Sequence, residues 1–410
     1  MENISQLPTK IRDQTASPDI LVISHLFLPK KAVVGEYLYN RCLQDPERVV
    51  VLAAGCSGDQ VFDQAQKFPV YRWPNYRYWL GRFMGSFLQP VIDLVCSFFL
   101  AIKLYFRYHY RYIEWGHVYE FPALLLLSYI LPIRFFIYLH GSDILDAVQN
   151  PLWRSLFKLT LRRAEGIVCN SYVTQDYLRQ TFRLQTPTHV IQPIVRPEKF
   201  GVEHNPGNLD HLRQSVREAH NIPKTAIVIL SVGRLIKHKS FDRVIENLPL
   251  LLNVGVDVHY ILCGQGPCEP ALKNLAQRLR VDKRVHFTGY VPDHELGGYY
   301  AACDLFAMLN LLDTEAYIEG FGIVYLEASY FGKPVIASRL GSVIDIVRHQ
   351  ENGLLVNPKS GYEVFQAFKR LCHDQPLREQ LGRKGKELAR RRTLHRSVYL
   401  CEPIPNGLLN

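Results

Sequence analysis

Short apolar runs alternate with longer amphipathic stretches along this chain, and the rhythm occurs twice. Short apolar runs are typical of strands buried in a parallel sheet, and the amphipathic stretches are typical of the crossover helices that join such strands. The sequence therefore predicts an α/β chain with two doubly wound parallel sheets. The length of 410 residues agrees with two domains, because one hydrophobic core rarely organises so long a chain.

The runs predict the positions of the elements in each half. In the first half the predicted strands are Ile20–Ser24, Val49–Ala53, Phe136–Leu139 and Ile167–Cys169, with helices around Glu36–Leu43, Phe87–Tyr108 and Tyr172–Arg183. In the second half the predicted strands are Ala226–Val232, Val258–Cys263, Val285–Phe287, Leu305–Met308, Pro334–Ala337 and Leu354–Val356. Phe200–Pro223, between the halves, is polar and has no strand signal at its start. We predict domains over residues 1–198 and 199–375, followed by a helix and an atypical tail over residues 376–410.

Charge and cysteine usage narrow the class of protein. The net charge of +10 favours polyanionic partners, which include phosphorylated small molecules, anionic lipid and nucleic acid. No recognisable nucleic-acid-binding motif accompanies the charge, so we expect no nucleic-acid partner. The nine scattered cysteines lack paired spacing for zinc, and the first residues lack a secretory signal. We therefore expect reduced thiols, no metal site and a cytoplasmic protein.

Two segments join cations to aromatic rings, and both flank the most apolar stretch. They are residues 71–79 and 105–112. Phe87–Phe106 is the best candidate for a membrane span, but Pro90, Asp93 and Lys103 interrupt it, so a buried or interfacial helix is expected. The aromatic and basic segments suit the boundary of an anionic membrane, which predicts a peripheral membrane protein. Helix flanks whose rings pack inward are an equal alternative, and base stacking is a third.

Candidate ligand-binding residues follow the predicted strands, where open parallel sheets bind their ligands. After the strand ending at Val232, Arg234 and Lys239 lie on one loop. A guanidinium fork and a mobile ammonium suit a diphosphate, although loop cations are more often simply exposed to solvent. After the strand ending at Cys263 comes Gly264-Gln265-Gly266, which is either half of a dinucleotide fingerprint or a tight turn before a helix that begins near Glu269.

The stretch Glu319-Gly320-Phe321-Gly322-Ile323-Val324-Tyr325-Leu326-Glu327-Ala328 predicts a glycine-containing turn that opens a helix. If the helix begins near Gly322, Glu319 lies in the loop and Glu327 lies inside the helix. The backbone N–H groups of Phe321, Gly322, Ile323 and Val324 are then donors for phosphate oxygens. Gly320 and Gly322 would let a ligand approach the backbone closely. Taken one at a time, the two glutamates would be a helix cap and an exposed helix residue.

This glutamate pair, followed by Gly332-Lys333-Pro334-Val335-Ile336-Ala337, resembles glycosyltransferase family 4, which has the GT-B fold. Further matches occur in family order: Val232-Gly233-Arg234-Leu235 with Lys239, Gly264-x-Gly266, Phe287-Thr288-Gly289, and Gly353-Leu354-Leu355-Val356-x-Pro358. Within the family, the glutamate turn is similar to that of phosphatidylinositol mannosyltransferases. The resemblance implies two Rossmann-like domains that face a deep cleft.

The resemblance also implies roles for individual residues. Arg234 and Lys239 would bind the donor diphosphate, Glu327 the nucleotide ribose, and Glu319 with the turn Gly320–Val324 the transferred sugar. In the first half, His140-Gly141-Ser142-Asp143 resembles the family's His-Gly-x-Glu/Asp loop, which gives His140 a supporting catalytic role. Gly35 resembles one residue of a glycine loop that faces the diphosphate, with Val34 in place of the usual first glycine.

The implied function is a retaining glycosyltransferase that moves a mannose- or glucose-type hexosyl unit from a nucleotide-diphosphate sugar to a lipid-linked or glycan acceptor. No metal or other cofactor is expected, because cations and a helix N-terminus stabilise the leaving diphosphate. One alternative is a catalytically weak nucleotide-binding or membrane-associated partner protein of the same fold. A pyridoxal-phosphate phosphorylase or a sugar-nucleotide epimerase is another alternative. The chain also departs from the family at its end, where Thr393–Ser397 and a proline-rich tail replace the helix that crosses back to the first domain.

Overall fold

A computed structural model describes residues 18–30, 32–75, 81–116, 120–201, 209–311 and 321–392, with the side chains of residues 81–87 and 392 excepted. The chain divides into two compact units. The first contains the described residues up to 138 and residues 155–167, and the second contains residues 139–154 and the described residues from 168 onwards. The domain bounds predicted from the sequence stay a prediction. Glu319, Gly320 and the tail beyond residue 392 lie outside the described residues.

The first sheet has seven strands in the order β3-β2-β1-β4-β5-β6-β7. Its strands are β1 (Ile20–Ser24), β2 (Val49–Ala54), β3 (Val70–Trp73), β4 (Tyr112–Trp115), β5 (Arg134–Leu139), β6 (Gly166–Cys169) and β7 (Thr188–Val190). β1 pairs in parallel with both β2 and β4, so that Ile20 lies beside Val49 and Tyr112. β1 and β2 are buried along their whole length, as expected of central strands in a covered parallel sheet.

Seven helices accompany this sheet in the described part of the first half. They are α1 (Val33–Gln44), α2 (Asp59–Gln64), α3 (Gly81–Tyr108), α4 (Phe121–Ile130), α5 (Ser142–Val148), α6 (Pro151–Arg163) and α7 (Tyr172–Phe182). The predicted helices correspond to α1, α3 and α7, and the four predicted strands correspond to β1, β2, β5 and β6. The alternating pattern therefore identified three of these seven helices and four of the seven strands.

The second sheet has six strands in the order β10-β9-β8-β11-β12-β13. Its strands are β8 (Ile227–Val232), β9 (Val258–Cys263), β10 (Val285–Gly289), β11 (Leu305–Met308), β12 (Val335–Ser338) and β13 (Gly353–Val356). Its helices are α8 (Leu209–Ala219), α9 (Phe241–Asn253), α10 (Glu269–Arg278), α11 (Asp293–Ala302), α12 (Ile323–Tyr330), α13 (Gly361–His373) and α14 (Gln375–Arg392). All six strands predicted for the second half are confirmed, within one or two residues.

Three strands of the first sheet were missed, and each has a physical reason. β3 and β7 are short edge strands with mostly half-buried side chains, so they lack an apolar run. β4 contains Glu114, a fully buried carboxylate that accepts hydrogen bonds from Arg41 at 2.7 Å and from the Tyr138 hydroxyl at 2.9 Å. Because Glu114 interrupts the apolar residues of β4, this central strand does not appear as an apolar run in the sequence.

The polar segment between the halves contains a helix that the sequence did not predict. α8 (Leu209–Ala219) is anchored by Arg217, a buried guanidinium. Arg217 donates to the carbonyl oxygens of Ala302 and Ala226 and to the Asp304 carboxylate, the last at 2.7 Å. Leu209, Leu212 and Val216 recur at helical spacing, and Val216 packs against the core of the second unit, so the periodic signal was present but was overlooked in a polar segment.

Candidate active site

Arg234 and Lys239 lie on one loop at the carboxyl end of β8. The loop runs from Gly233 through a short 3-10 helix, Lys237–Lys239, to Ser240, which precedes α9. Arg234 is exposed and Lys239 is half-buried. The backbone N–H of Leu311 donates to the carbonyl oxygen of His238 at 2.9 Å, so the chain that follows β11 contacts this loop. β8 and β11 are neighbours in the sheet, which places both of their following loops at one edge.

Gly264 and Gly266 make room for the backbone of the loop after β8. A Cβ atom on Gly264 would lie 1.9 Å from the carbonyl oxygen of Gly233, and one on Gly266 would lie 2.3 Å from that of Leu235. The N–H of Leu235 donates to the carbonyl oxygen of Gln265 at 3.0 Å, which holds the two loops together. These glycines therefore form a tight turn before α10, and they help to fix the shape of the loop that contains Arg234.

The glycine turn before α12 ends at Gly322, which adopts a left-handed conformation with φ of 69° and is the N-cap of α12. A Cβ atom there would lie 2.8 Å from the Tyr325 ring. The hydroxyl of Tyr325 donates to the carbonyl oxygen of Met308 at 3.0 Å, which ties α12 to the end of β11. The first N–H groups of the helix, at Ile323 and Val324, therefore start from the same sheet edge as the loop after β8.

Glu327 is buried inside α12, with 2% of its surface exposed, and both of its carboxylate oxygens have partners. Lys199 forms a short ion pair with Oε1, and the Tyr300 hydroxyl donates to Oε2 at 2.7 Å. Burial beside the Glu327 charge raises the pKa of Tyr300 well above its usual value, so this phenol stays a donor. The carboxylate is thus held in one orientation by two partners.

His140 and Gly35 lie at the carboxyl edge of the first sheet. His140 follows β5, and its N–H donates to the Asp143 carboxylate at 2.7 Å, which closes the turn into α5 around Gly141 (φ of 102°). Gly35 is in the first turn of α1, where a Cβ atom would lie 3.3 Å from the carbonyl oxygen of Leu26. His140 therefore begins a tight strand-to-helix turn, and Gly35 allows α1 to pack closely against the loop that follows β1.

The structure gathers part of the predicted set and leaves the rest elsewhere. Arg234, Lys239 and the start of α12 at Gly322 share the carboxyl edge of the second sheet, and we call these residues the donor edge. Glu327 lies in the same helix but faces Lys199 and Tyr300. Glu319 and Gly320 are outside the described residues. The roles assigned to all of these residues stay predictions.

Sequence reasoning missed Lys199 and Tyr300 as partners of Glu327. Lys199 lies 128 residues before the glutamate, in the short 3-10 helix Pro197–Phe200. Its ammonium also lies 5.0 Å from the centre of the Phe200 ring. No local spacing connects residues so far apart, so only the fold could reveal this contact.

Comparisons with known proteins identify the family and the fold. Residues 36–199 match the family model Glycosyltransferase Family 4, and residues 213–388 match the family model Glycosyl transferases group 1. The two family models thus match the two halves of the chain, and the resemblance to glycosyltransferase family 4 is confirmed. Anabaena Alr3699/HepE, solved in complex with UDP and glucose, is similar to this chain with a TM-score of 0.72 and 22% identity, covering 92% of this chain and 95% of that chain. This likeness confirms the GT-B fold.

Two curated relatives share the sequence over part of its length. A GDP-mannose-dependent α-(1-6)-phosphatidylinositol monomannoside mannosyltransferase of Mycobacterium tuberculosis is 32% identical over 249 residues, which are 60% of this chain and 63% of that protein. A D-inositol 3-phosphate glycosyltransferase of Corynebacterium glutamicum is 32% identical over 204 residues, which are 48% of this chain and 47% of that protein. The matched stretch covers less than two thirds of either relative.

Proposed function

We propose that this chain, which carries a glycosyltransferase family 4 domain followed by a group 1 glycosyltransferase domain, transfers a mannose- or glucose-type hexosyl unit from a nucleotide-diphosphate sugar. The acceptor is lipid-linked or a glycan, and the anomeric configuration of the sugar is retained. The observation that carries the proposal is the donor edge, where Arg234, Lys239 and the glycine-led N-terminus of α12 share one edge of the second sheet.

The donor edge suits a leaving diphosphate. As the bond between the sugar and the diphosphate breaks, negative charge grows on the phosphate oxygens. The guanidinium of Arg234 and the ammonium of Lys239 stabilise that charge more strongly than they stabilise the intact donor, which lowers the barrier. The N–H groups of Ile323 and Val324 add the partial positive charge of a helix N-terminus.

Glu327 would orient the nucleotide by accepting hydrogen bonds from ribose hydroxyls, since Lys199 and Tyr300 already fix its direction. Glu319 with Gly320 would hold the transferred sugar, and His140 would contact the donor sugar in a supporting role. Gly35 would allow the backbone of α1 to approach the diphosphate. We propose that no metal is required, so that activity should persist in EDTA.

The names of the relatives support an acceptor that carries an inositol ring. Both curated relatives are named for inositol-type acceptors, one of them lipid-linked. Acceptor chemistry is set by residues outside the donor edge, so the acceptor has to be found by a screen rather than by inspection. A panel of phosphatidylinositol, phosphatidylinositol mannosides, inositol phosphate and oligosaccharides covers the proposed classes. We propose that the reaction takes place in the cytoplasm.

The experiment is incubation with UDP- and GDP-linked glucose and mannose, with release of nucleotide as the readout and the acceptor panel as co-substrates. We expect acceptor-dependent release with one donor, and NMR of the product should show the anomeric configuration of the donor. Product formation without an acceptor would indicate an epimerase. Tight nucleotide binding with no turnover across the whole panel would contradict the proposal and favour a catalytically weak binding protein.

A further inference from the structure

The helix α3 exposes a continuous apolar side in the first unit. Among its described side chains, from residue 88 onwards, five apolar ones are exposed, and we call this set the α3 face: Leu88, Val91, Val95, Phe99 and Phe106. Phe99 is 63% exposed and Phe106 is 69% exposed. The spacings of three, four, four and seven residues place all five on one side of a helix. At 1.5 Å per residue, the face is about 27 Å long.

The opposite side of α3 is bound into the first unit. Ser97 and Ala101 are fully buried, and the Asp93 carboxylate accepts hydrogen bonds of 2.7 Å from both the Trp73 indole and the Gln89 amide. The helix packs against β2, β3 and α4. Among the described residues, α3 is the one helix long and apolar enough to cross a membrane. Because its inner side belongs to the unit, it is suited to lie along a surface rather than to span a bilayer.

The charges next to the α3 face are positive. Lys103 and Arg107 are exposed on α3, and Arg111 is exposed just after it. The Arg107 guanidinium lies 5.7 Å from the centre of the Tyr71 ring and 5.5 Å from that of Tyr108, so it is held beside the face. The carboxylate of Asp93 is directed inward, towards Trp73. Exposed cations at the border of an apolar helix face are complementary to a layer of anionic lipid headgroups.

We propose that the α3 face docks onto the surface of an anionic bilayer, with Phe99 and Phe106 in the boundary between headgroups and acyl chains. Lys103, Arg107 and Arg111 then lie at the level of the lipid phosphates. The apolar side chains supply binding that is independent of salt, and the cations supply a part that salt weakens. This inference does not rest on the transfer reaction, because binding to vesicles is measured without donor or acceptor.

The proposal changes the position of the membrane contact relative to the sequence-based prediction. Tyr71 and Tyr108 share a hydrogen bond of 2.7 Å, and the hydroxyl of the buried Tyr110 donates to the carbonyl oxygen of Ala101. Of these rings, Tyr110 packs inward, whereas Tyr71 and Tyr108 are half-buried against each other. Residues 76–79 lie outside the described residues. The outward side of α3 is therefore the better candidate surface, and it includes the exposed Phe106 of the second segment.

A second copy of the chain is a less suitable occupant of the α3 face. A two-fold contact of the face with itself would join two surfaces that both carry exposed cations. Lys103, Arg107 and Arg111 of each copy would then find no opposite charge on the other face, whereas a complementary partner would supply it. A lipid surface has the opposite charge and places no such demand on the geometry.

The test is cosedimentation of the full chain with vesicles of phosphatidylcholine, with and without about one third phosphatidylglycerol. We expect binding to the anionic vesicles that weakens with salt. The double variant Phe99→Ser/Phe106→Ser should bind at least about tenfold more weakly, since both exposed rings lose their apolar contact. Lys103→Glu/Arg111→Glu should bind more weakly at low salt and resemble the wild type at high salt. Tyr362→Ser, which removes a ring that is 76% exposed in the second unit, is the matched control and should bind normally.

Insertion of the face is measured with a reporter. A Phe99→Trp variant should show emission that is quenched by lipids brominated on their acyl chains, whereas Tyr362→Trp should not. Absence of binding to anionic vesicles at every salt concentration would overturn the proposal. Equal binding by Phe99→Ser/Phe106→Ser and the wild type would do the same. A dimer in sedimentation that depends on Phe99 and Phe106, without vesicle binding, would assign the face to a second copy of the chain instead.

Discussion

The donor edge of the second sheet and the α3 face of the first unit are surfaces of opposite character. The donor edge is polar, and close backbone contacts shape it, such as those that Gly264 and Gly266 allow. The α3 face is apolar, bordered by cations, and formed by side chains that point away from the core. One surface has the properties of a site for a charged small molecule, and the other has those of a docking surface. We infer that the second unit binds the donor and that the first unit brings the enzyme to a membrane surface.

The largest expected effect concerns the donor edge. In the double variant Arg234→Gln/Lys239→Gln, the leaving diphosphate loses both cations, and kcat/KM should fall by about 10⁴-fold, because each such group commonly contributes about 10²-fold or more. Steady-state release of nucleotide measures this effect. Arg348→Gln, which changes an exposed arginine near Glu351, is the control and should retain full activity. Wild-type activity in the double variant would remove the donor edge from the mechanism.

The donor edge could be predicted from sequence because its signals are local. Gly322 was expected to begin a helix, and α12 starts at Ile323 with Gly322 as its N-cap. Arg234 and Lys239 were expected in one loop after a strand, and they follow β8. In each case, a glycine or a cation follows an apolar run by a fixed number of residues. The α3 face was not predicted in this form, since an apolar stretch does not reveal which of its sides the core will cover.

The pocket around Glu327 gives the next largest effect. Lys199→Met leaves a buried carboxylate without its cation and should lower the free energy of unfolding by about 3–5 kcal/mol. If folding survives, KM for the donor should rise more than kcat falls, because Glu327 loses its orientation. Lys199→Arg should restore most of both properties.

Tyr300→Phe is the milder test of the same pocket. It removes the second hydrogen bond to Glu327 without losing the ring, so a cost of about 1–2 kcal/mol is expected. Denaturant unfolding and donor titration report the two effects. Identical stability and KM in Lys199→Met and the wild type would show that the ion pair has no role.

The two glycines after β9 offer a test of the shape of the donor edge. Gly264→Ala should lower the free energy of unfolding by about 3 kcal/mol, because its Cβ would collide with the backbone of Gly233. Gly361→Ala is the control, since a Cβ there meets no atom within 4 Å. Thermal unfolding of both variants measures the difference. Equal melting temperatures would mean that the two loops do not pack closely.

A smaller effect is expected from acid. His259 and His286 contact each other at 3.0 Å through ring nitrogens, with His220 beside them and Arg284 near His259. Burial lowers the pKa of all three histidines, and that of His286 to about 4. The unfolded chain therefore takes up protons below about pH 6.5 that the folded chain does not, so stability is lost as the pH falls.

At pH 5, the contribution of His286 to this loss is about 2 kcal/mol relative to pH 8. Denaturant unfolding across this range measures it, and His286→Gln should flatten the profile. A profile that is unchanged in His286→Gln would exclude this histidine as the cause. The three histidines lie in the second unit, so we expect His286→Gln to leave vesicle binding by the α3 face of the first unit unchanged.

Other features could not be predicted because distant residues create them. Glu114 reads as a surface residue in the sequence, yet Arg41 and Tyr138 allow its burial in β4. Arg217 lies in the polar segment where no helix was predicted, yet it anchors α8 to Asp304 and to carbonyl groups. In both cases a partner far away in the sequence allows a charged side chain to be buried, and hydrophobic periodicity does not reveal such a partner.

The central claim is that the donor edge binds a nucleotide diphosphate, and calorimetric titration tests it most directly. UDP and GDP would be titrated into the wild type, Lys239→Gln and Arg348→Gln. We predict that the wild type binds one of the two nucleotides, that Lys239→Gln binds it at least about tenfold more weakly, and that Arg348→Gln matches the wild type. Equal affinity in all three proteins, or no binding of either nucleotide by the wild type, would contradict the account.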